Sequence, residues 1–478
     1  MQGSIWSGFV DFWMIDVGNA ENTAAGEIRR IGRRVALDSP GAFHTLCLHA
    51  KRRGRVMTVL IAGGGIAGLA LGLTCHQIGV PFKVFEAVQT LRPLGVGINL
   101  QPTAVRELID LGLEGELEQI GVRTQDYGMY TRHGVHVWTE PRGHWAGYDW
   151  PQYSVHRGKL HMMLYHALIQ RAGPDAVETG WAATGFDNTD TGATLHLRGT
   201  DGQTQSLDGS VVIGADGIHS AIRGQIDPKG GPPKWGGTIM WRGTTLAKPF
   251  KTGASMVMIG SKGLRFVSYP ISKPDPDTGL AEINWIATLL QDPDADWNKE
   301  DWSREADKND VLPAFSVFDL DWIDIPGLIR DAGKVYEYPM VDRDPMDRWQ
   351  QGCVTLMGDA AHAAYPVGSN GAGSAIIDAR KLGAAFLEHG VGAKALEVYE
   401  TEMRPQTAQV TLMNRVAGPD SILDLVEQRA DGAFTDISEV MSKEELAAHA
   451  DKYKAAAGYG IEDTNARPRT IAEGARMG

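Results

Sequence analysis

Cysteine is scarce: three in 478 residues, Cys47, Cys75 and Cys353, far apart in the chain. That spacing excludes a disulfide framework and a clustered zinc site, so no metal is expected. It fits a reducing compartment, and a cytoplasmic location is the expectation. Positive charge is in deficit, with 46 Lys and Arg against 59 Asp and Glu and a net charge of −13. This argues against nucleic acid or an anionic membrane as the main partner. No stretch reads as a membrane span. The uncharged run from Ala360 to Ile377 is broken by Pro366, Asn370 and several glycines, so it reads as a loop and a helix start. There is no CxxC pair and no internal repeat. The length allows a large core and two or three domains.

What is present is concentrated in Thr58 to Glu86, TVLIAGGGIAGLALGLTCHQIGVPFKVFE. Val59 to Ala62 form an apolar run without alternation, as in a parallel strand buried on both faces. Gly63-Gly64-Gly65-Ile66-Ala67-Gly68 follows at once and satisfies G-x-G-x-x-G. The spacing predicts a helix from Ile66 to about Gln77, ended by Gly79, and a second strand from Phe82 to Glu86. In such a unit Gly63 permits the tight turn, Gly65 lets the backbone approach a pyrophosphate, and Gly68 lets helix and strand pack closely. The free N–H groups and positive end of the helix suit phosphate. Glu86 is placed to accept from a ribose diol, as in FAD or NAD.

The rest of the chain falls into blocks. Residues 1–56 do not read as part of the fold; the expectation is a non-native or disordered extension ahead of Met57, with a targeting arm as the alternative. Residues 57–234 read as the first part of a Rossmann-like domain. Within them Val211 to Gly214 is a buried strand leading into Asp216-Gly217, and Ala193 to Arg198 with Gln203 to Leu207 is a hairpin. Residues 235–340 alternate in the manner of an antiparallel sheet, with strands at Thr238 to Leu246, Ser255 to Ile259, Leu264 to Ile271 and Glu282 to Leu290. An acidic loop, Gln291 to Asp310, follows. Residues 341–415 return to the first domain, with a strand ending at Gly358-Asp359 and a long helix from about Ala372 to Glu388. Residues 416–478 read as a helical extension, with a helix at Ser442 to Ala457 and a frayed final twenty residues. The fold class is therefore α/β with an α+β composite character.

Three motifs stand in order: GGGIAG at 63–68, GADGIHSAIR at 214–223 and GDAAHAAYPVGSNGAGSAIID at 358–378. Together they resemble the single-component (class A) flavin-dependent aromatic hydroxylases, the p-hydroxybenzoate-hydroxylase-like class, from about Met57 to Arg415. Within that class the strings LRPLGVGINLQP, PQYSVHRGKL, MWRG, YPMVDRDP and YPVGSNGA are most similar to the N-methylphenazine-carboxylate monooxygenase branch of the pyocyanin pathway. That similarity marks a subfamily, not a substrate. The resemblance implies that Gly63, Gly65, Ile66, Ala67 and Gly68 meet the FAD pyrophosphate and that Glu86 meets the adenosine ribose. It implies that Arg157 contacts FAD, that Asp359 binds its ribityl or pyrophosphate portion, and that Asp216 and Gly217 serve FAD and NAD(P)H handling. Gly371 and Ala372 fall beside the isoalloxazine ring. An exposed helix start at Gly371 suits negative charge on reduced flavin.

The implied reaction uses NADH or NADPH and O₂ to hydroxylate an aromatic or heteroaromatic small molecule through a flavin C4a-hydroperoxide. A phenolic substrate needs a base; His219, His362, Tyr269 and Tyr365 are the candidates, each with a structural alternative. Tyr365 and Pro366 are expected to line the substrate cavity, with Met240, Trp241, Met258 and Tyr269 as its far wall or, alternatively, as sheet core. Two other readings stand beside this one: a flavin enzyme of another reaction type (dehydrogenation, epoxidation or demethylation), and a non-catalytic flavoprotein. Halogenases of related fold carry Trp-x-Trp-x-Ile-Pro; the nearest string here, Trp322-Ile323-Asp324-Ile325-Pro326, lacks the second Trp. Monomer and homodimer both remain open.

Overall fold

The computed structural model describes residues 58–291, 304–416, 418, 421–430, 434–456 and 458–478, without the side chains of 452–456. The expected extension at 1–56, most of the acidic loop and Ala457 lie outside these residues.

The chain opens with β1 (Val59–Ala62), α1 (Ile66–Ile78) and β2 (Phe82–Glu86). All four residues of β1 are buried, as its unbroken apolar run requires for a strand covered on both faces. Helix α1 ends where Gly79 turns left-handed at φ 76°. Next come β3 (Gly97–Leu100), α2 (Pro102–Asp110), α3 (Glu114–Ile120), β4 (Gly121–Arg123), β5 (Asp126–Tyr130) and β6 (His136–Pro141). They are followed by β7 (Tyr153–His156), α4 (Arg157–Ala172), β8 (Val177–Thr179), β9 (Trp181–Thr189), β10 (Gly192–Gly199), β11 (Thr204–Gly209) and β12 (Val211–Gly214). The predicted hairpin is the β10–β11 pair, extended by β9 into a three-stranded meander.

After α5 (Ala221–Ile226) the chain enters β13 (Lys234–Ala247), β14 (Ser255–Gly260), β15 (Leu264–Pro270) and β16 (Ala281–Leu290). It passes through α6 (Lys308–Phe315) and α7 (Ile325–Arg330) to β17 (Val335–Asp342) and β18 (Val354–Leu356). The last elements are α8 (Asp359–His362), α9 (Gly371–His389), α10 (Ala393–Val416), α11 (Ser421–Ala430), α12 (Lys443–Ala456) and α13 (Ile461–Ala466).

Two sheets organise the molecule. One is parallel, in the order β18-β12-β1-β2-β8. Its order reverses at β1, which pairs with β2 on one side and β12 on the other. The crevice at such a reversal, beyond the carboxyl ends of the strands, is where open α/β sheets bind ligands. The second sheet has seven strands, β17-β13-β16-β15-β14-β5-β6. Its pairs are antiparallel except β14 with β5, which run parallel. That exception arises because β5 and β6 come from the aromatic stretch before residue 151, far upstream of the strands they join. A small antiparallel sheet, β3-β7-β4, bridges the two; Gly97 of β3 donates its N–H to Asn284 Oδ1 of β16 at 2.7 Å.

The final twenty residues are not frayed. Ile471 is buried, Met477 donates its N–H to the Ile78 carbonyl at 2.8 Å, and Arg106 holds the Pro468 carbonyl. Sequence reading missed this because the anchors are backbone groups and one isoleucine, which carry no periodicity. Among the described residues no helix is long and apolar enough to cross a membrane.

Candidate active site

The two ends of the site are built differently. At the first, the turn after β1 is held by contacts that exclude side chains. Gly63 has φ 111°, and a Cβ there would lie 2.2 Å from the Ala215 carbonyl oxygen just beyond β12. A Cβ on Gly68 would lie 1.9 Å from the Gly63 oxygen. Both glycines serve the packing of the turn. Gly65 differs: a Cβ there meets nothing within 4 Å, and it starts α1 with no side-chain cap. The helix start is therefore free of a capping side chain and has open space beside Gly65, which suits a pyrophosphate. Glu86 accepts the Gly64 N–H at 2.7 Å on one oxygen and the Val88 N–H at 3.0 Å on the other. Each oxygen keeps a lone pair for a ribose hydroxyl.

A cavity of about 670 Å³ begins at this turn. Gly65, Ile66, Ala67, Arg157, Gly217, Asp359, Gly371 and Ala372 all line it, so eight of the residues expected to meet FAD converge on one space. Gly371 opens α9, and a Cβ on it would again meet nothing within 4 Å. Gly63, Gly68, Glu86 and Asp216 stand behind the lining. Asp216 is occupied: its carboxylate accepts from Ser220 Oγ at 2.5 Å and the Ala221 N–H at 2.8 Å, holding the start of α5. Burial raises its pKa despite these bonds.

At the other end the floor of the cavity is the seven-stranded sheet. Strand register aligns Arg242, Ile286, Val267, Met258, Met129 and Trp138 in one row across six strands. All six line the cavity, as do Met240 and Tyr269. Because side chains alternate along a strand, Trp241 must point the other way. It is buried in a second core with Phe315 and donates Nε1–H to Glu337 at 2.8 Å. The expected wall of Met240, Met258 and Tyr269 is therefore present without Trp241.

The electrostatics of this space are lopsided. Among the described residues four arginines line it, Arg142, Arg157, Arg242 and Arg265, against the carboxylates Glu140 and Asp359. Arg142 is paired with Glu140 at 3.0 Å. Arg242 donates to the Gly97 carbonyl at 2.6 Å, while its Nε is buried with no hydrogen-bond partner among the described residues. Burial lowers its pKa, opposed by the nearby Tyr269 and Tyr338. Asn99 Nδ2 and Trp138 Nε1 are further buried donors on this lining that the described residues leave without partners. Arg242 was legible in principle, since a lone charge in the apolar strand MWRG shares a face with Met240.

The proposed bases sit elsewhere or stay neutral. His219 is exposed and outside the lining. The hydroxyl of Tyr365 rests against Gly236, while Pro366 beside it reaches the cavity. Burial pushes Tyr365 up to about 12, and pushes Tyr269 there too against the pull of Arg242. His362 is buried against Asp378 at 2.6 Å, and the same Asp378 oxygen accepts the Gly358 N–H at 2.9 Å. Sequence reading also missed His161, whose Nε2 bonds the Gly64 carbonyl at 2.6 Å, and the cavity-lining His449 and Tyr459 of the C-terminal segment.

An uncapped helix start at a strand-order reversal, continuous with a cavity floored by apolar sheet residues, fits a dinucleotide-binding protein with room for a small-molecule substrate. The chain belongs to the FAD binding domain family, which matches residues 56–413. It is 40% identical over 362 residues to the phenazine 1,6-dicarboxylic acid hydroxylase PhzS of Lysobacter antibioticus, covering 75% of this chain and 89% of that protein. It is 31% identical over 373 residues to the 3-amino-4-hydroxybenzoate 2-monooxygenase PtmB3 of Streptomyces platensis, covering 75% and 87%. The fold matches that of Klebsiella pneumoniae HpxO complexed with FAD and uric acid, with a TM-score of 0.63 at 21% identity, over 85% of this chain and 96% of that one. The protein is thus an FAD-dependent monooxygenase of the aromatic-hydroxylase class, using NAD(P)H and O₂.

Proposed function

We propose that this enzyme hydroxylates an aromatic or heteroaromatic carboxylic acid, of phenazine-like or benzoate-like size. The observation that carries the reading is an apolar, methionine-rich floor that also presents Arg242, whose buried Nε has no hydrogen-bond partner among the described residues. Methionine side chains adapt to flat rings. A buried guanidinium is unfavourable without an anion, and a substrate carboxylate supplies one. The two relatives above are named for a phenazine dicarboxylic acid and an aminohydroxybenzoate, which supports the same class.

Residue roles follow from position. Gly65, Ile66 and Ala67 would take the FAD pyrophosphate on backbone N–H groups, backed by Gly63 and Gly68. Glu86 would hold the adenosine ribose, Asp359 and Arg157 the middle of the cofactor, and Gly371 and Ala372 its ring. Bound FAD supplies two-electron chemistry with NAD(P)H and the activation of O₂. The chain supplies orientation and dryness: Met240, Met258 and Val267 shed water from the reacting face. Arg242 lies where the flavin-side strand β3 meets the substrate sheet, and there it stabilises negative charge on a phenolate or carboxylate. Tyr269, neutral at physiological pH, acts as a hydrogen-bond donor rather than as a base.

The test is a panel of aromatic acids and their neutral amides with purified flavoprotein. NAD(P)H oxidation stimulated by the acids, with products heavier by one oxygen, supports the proposal. Equal stimulation by the amides contradicts it.

A further inference from the structure

The small sheet β3-β7-β4 carries a line of buried polar side chains that the roles above leave unused. Asn99 of β3 stands directly opposite Ser154 of β7, and Thr124 follows just after β4 on the other side. Their exposures are 3%, 1% and 1%, so bulk water does not reach them. Ser154 donates its hydroxyl proton to Asn99 Oδ1 at 2.8 Å and lies 2.8 Å from Thr124 Oγ1. A serine has one proton to give, so Thr124 is the donor to Ser154. Asn99 lines the cavity, whereas Ser154 and Thr124 do not. The carbonyl end of the Asn99 amide is thus held toward β7, and the amino end is left to the cavity.

Asn99 Nδ2 has no hydrogen-bond partner among the described residues, and a buried amide donor in that state is unfavourable. Arg242 adds donors at this corner, not an acceptor. It reaches across to β3, donating to the Gly97 carbonyl at 2.6 Å, two residues from Asn99, and its own Nε is buried and unpartnered. Burial pushes the Tyr269 pKa up to about 12 while Arg242 and Asn99 both pull against it, so the three side chains meet at one corner with the tyrosine protonated. The other neutral donor that the described residues leave unpartnered on the lining is Trp138 Nε1, on β6. It lies five strand spacings from Arg242, roughly 24 Å across a sheet of ordinary spacing. A benzoate- or phenazine-sized acid cannot touch both ends.

We propose that Asn99 is a specificity-determining residue: its Nδ2–H and the Arg242 guanidinium together hold the substrate carboxylate at the β3 end of the floor. Ser154 is the positioning residue that fixes the Asn99 amide with its donor toward the cavity. The guanidinium supplies charge, and the fixed amide supplies direction. A carboxylate offers only acceptors and suits a corner of donors. The matching carboxamide brings an NH₂ of its own against the Asn99 NH₂ and is rejected. This rests on the aromatic-acid reading proposed above.

The test reads ligand affinity from the perturbation of flavin absorbance in the oxidised holoenzyme. The probes are 3-amino-4-hydroxybenzoate and phenazine 1,6-dicarboxylate, each against its carboxamide. Asn99→Leu keeps the size and removes the donor. Kd for the acid should rise about tenfold, as for a lost hydrogen bond to a charged group, with little change for the carboxamide. Ser154→Ala leaves Asn99 in place and frees its amide to turn, so the preference for acid over carboxamide should shrink severalfold. That variant carries the test if Asn99→Leu does not fold. An unchanged acid Kd in Asn99→Leu beside a weakened Arg242→Met overturns the inference and spares the acid reading. An unchanged preference in Ser154→Ala overturns it too. Weakening in Trp138→Phe but not in Asn99→Leu places the carboxylate at the opposite end and overturns it as well. If neither acid binds the wild type, or Arg242→Met binds the acid as tightly, the aromatic-acid reading fails and takes the inference with it.

Discussion

His362 and Asp378 form a buried pair, Nε2 to Oδ2 at 2.6 Å, behind the cavity wall that Asp359 presents. Burial opposes charge on the imidazole, but the Asp378 carboxylate and its hydrogen bond, helped by Asp359, outweigh it and raise the His362 pKa. A histidine whose folded pKa is raised adds stability that is complete below its unfolded pKa of about 6.5 and fades as pH climbs through the folded value. His362→Gln leaves Asp378 without its cation and should cost about 3 kcal/mol near pH 6. The deficit should narrow at pH 9. Denaturant midpoints at the two pH values check this.

The three glycines of the first turn should separate by mechanism. Gly63→Ala and Gly68→Ala drive a methyl into backbone oxygens at 2.2 and 1.9 Å, and should yield unfolded or cofactor-free protein. A Cβ on Gly65 meets no protein atom within 4 Å, so Gly65→Val enters the open space at the helix start. It should fold with the thermal midpoint of wild-type apoprotein and yet fail to retain FAD. Thermal melts of apoprotein with flavin content by absorbance distinguish the two outcomes.

Trp241 and Met240 are neighbours in sequence on opposite faces of β13. Trp241→Phe loses the Nε1–H bond to the buried Glu337 and should lower stability by about 1–3 kcal/mol with unchanged turnover. Met240→Ala should do the reverse in kinetics, raising KM and hydrogen peroxide release. Steady-state rates together with chemical denaturation read both effects.

Arg242 lines the cavity beside Ile286, its cross-strand neighbour, with its buried Nε unpartnered among the described residues. Arg242→Met should raise KM for an aromatic carboxylate about ten- to hundredfold, the equivalent of a lost charged hydrogen bond. KM for the matching neutral amide should change little. Parallel Michaelis curves for acid and amide decide it.

The nucleotide end of the molecule was legible because its signals are local. An unbroken apolar strand, spaced glycines and an acid some twenty residues on are adjacent in sequence, and β1, α1 and β2 appear where the spacing put them. The sheet floor was half legible: alternation identified the strands of residues 235–340. No local signal showed that β5 and β6, more than a hundred residues upstream, would complete the sheet. Nor did pattern alone tell which face of Met240-Trp241-Arg242 turns inward, because both faces are buried, one in a core and one on a cavity. The C-terminal anchors were illegible for a different reason. Tyr459, Asn465 and Pro468 act through one or two hydrogen bonds each, to partners some three hundred residues away or to a loop before α9.

The most direct measurement of the central claim is oxygen-18 incorporation under single turnover. Purified flavoprotein, reduced by NAD(P)H in the presence of an aromatic acid that stimulates it, is mixed with labelled O₂. One labelled oxygen atom per molecule of ring-hydroxylated product is the predicted result. Oxidation of the reduced protein with all of the label in hydrogen peroxide, for every acid that binds, would contradict a cavity built to join flavin and substrate.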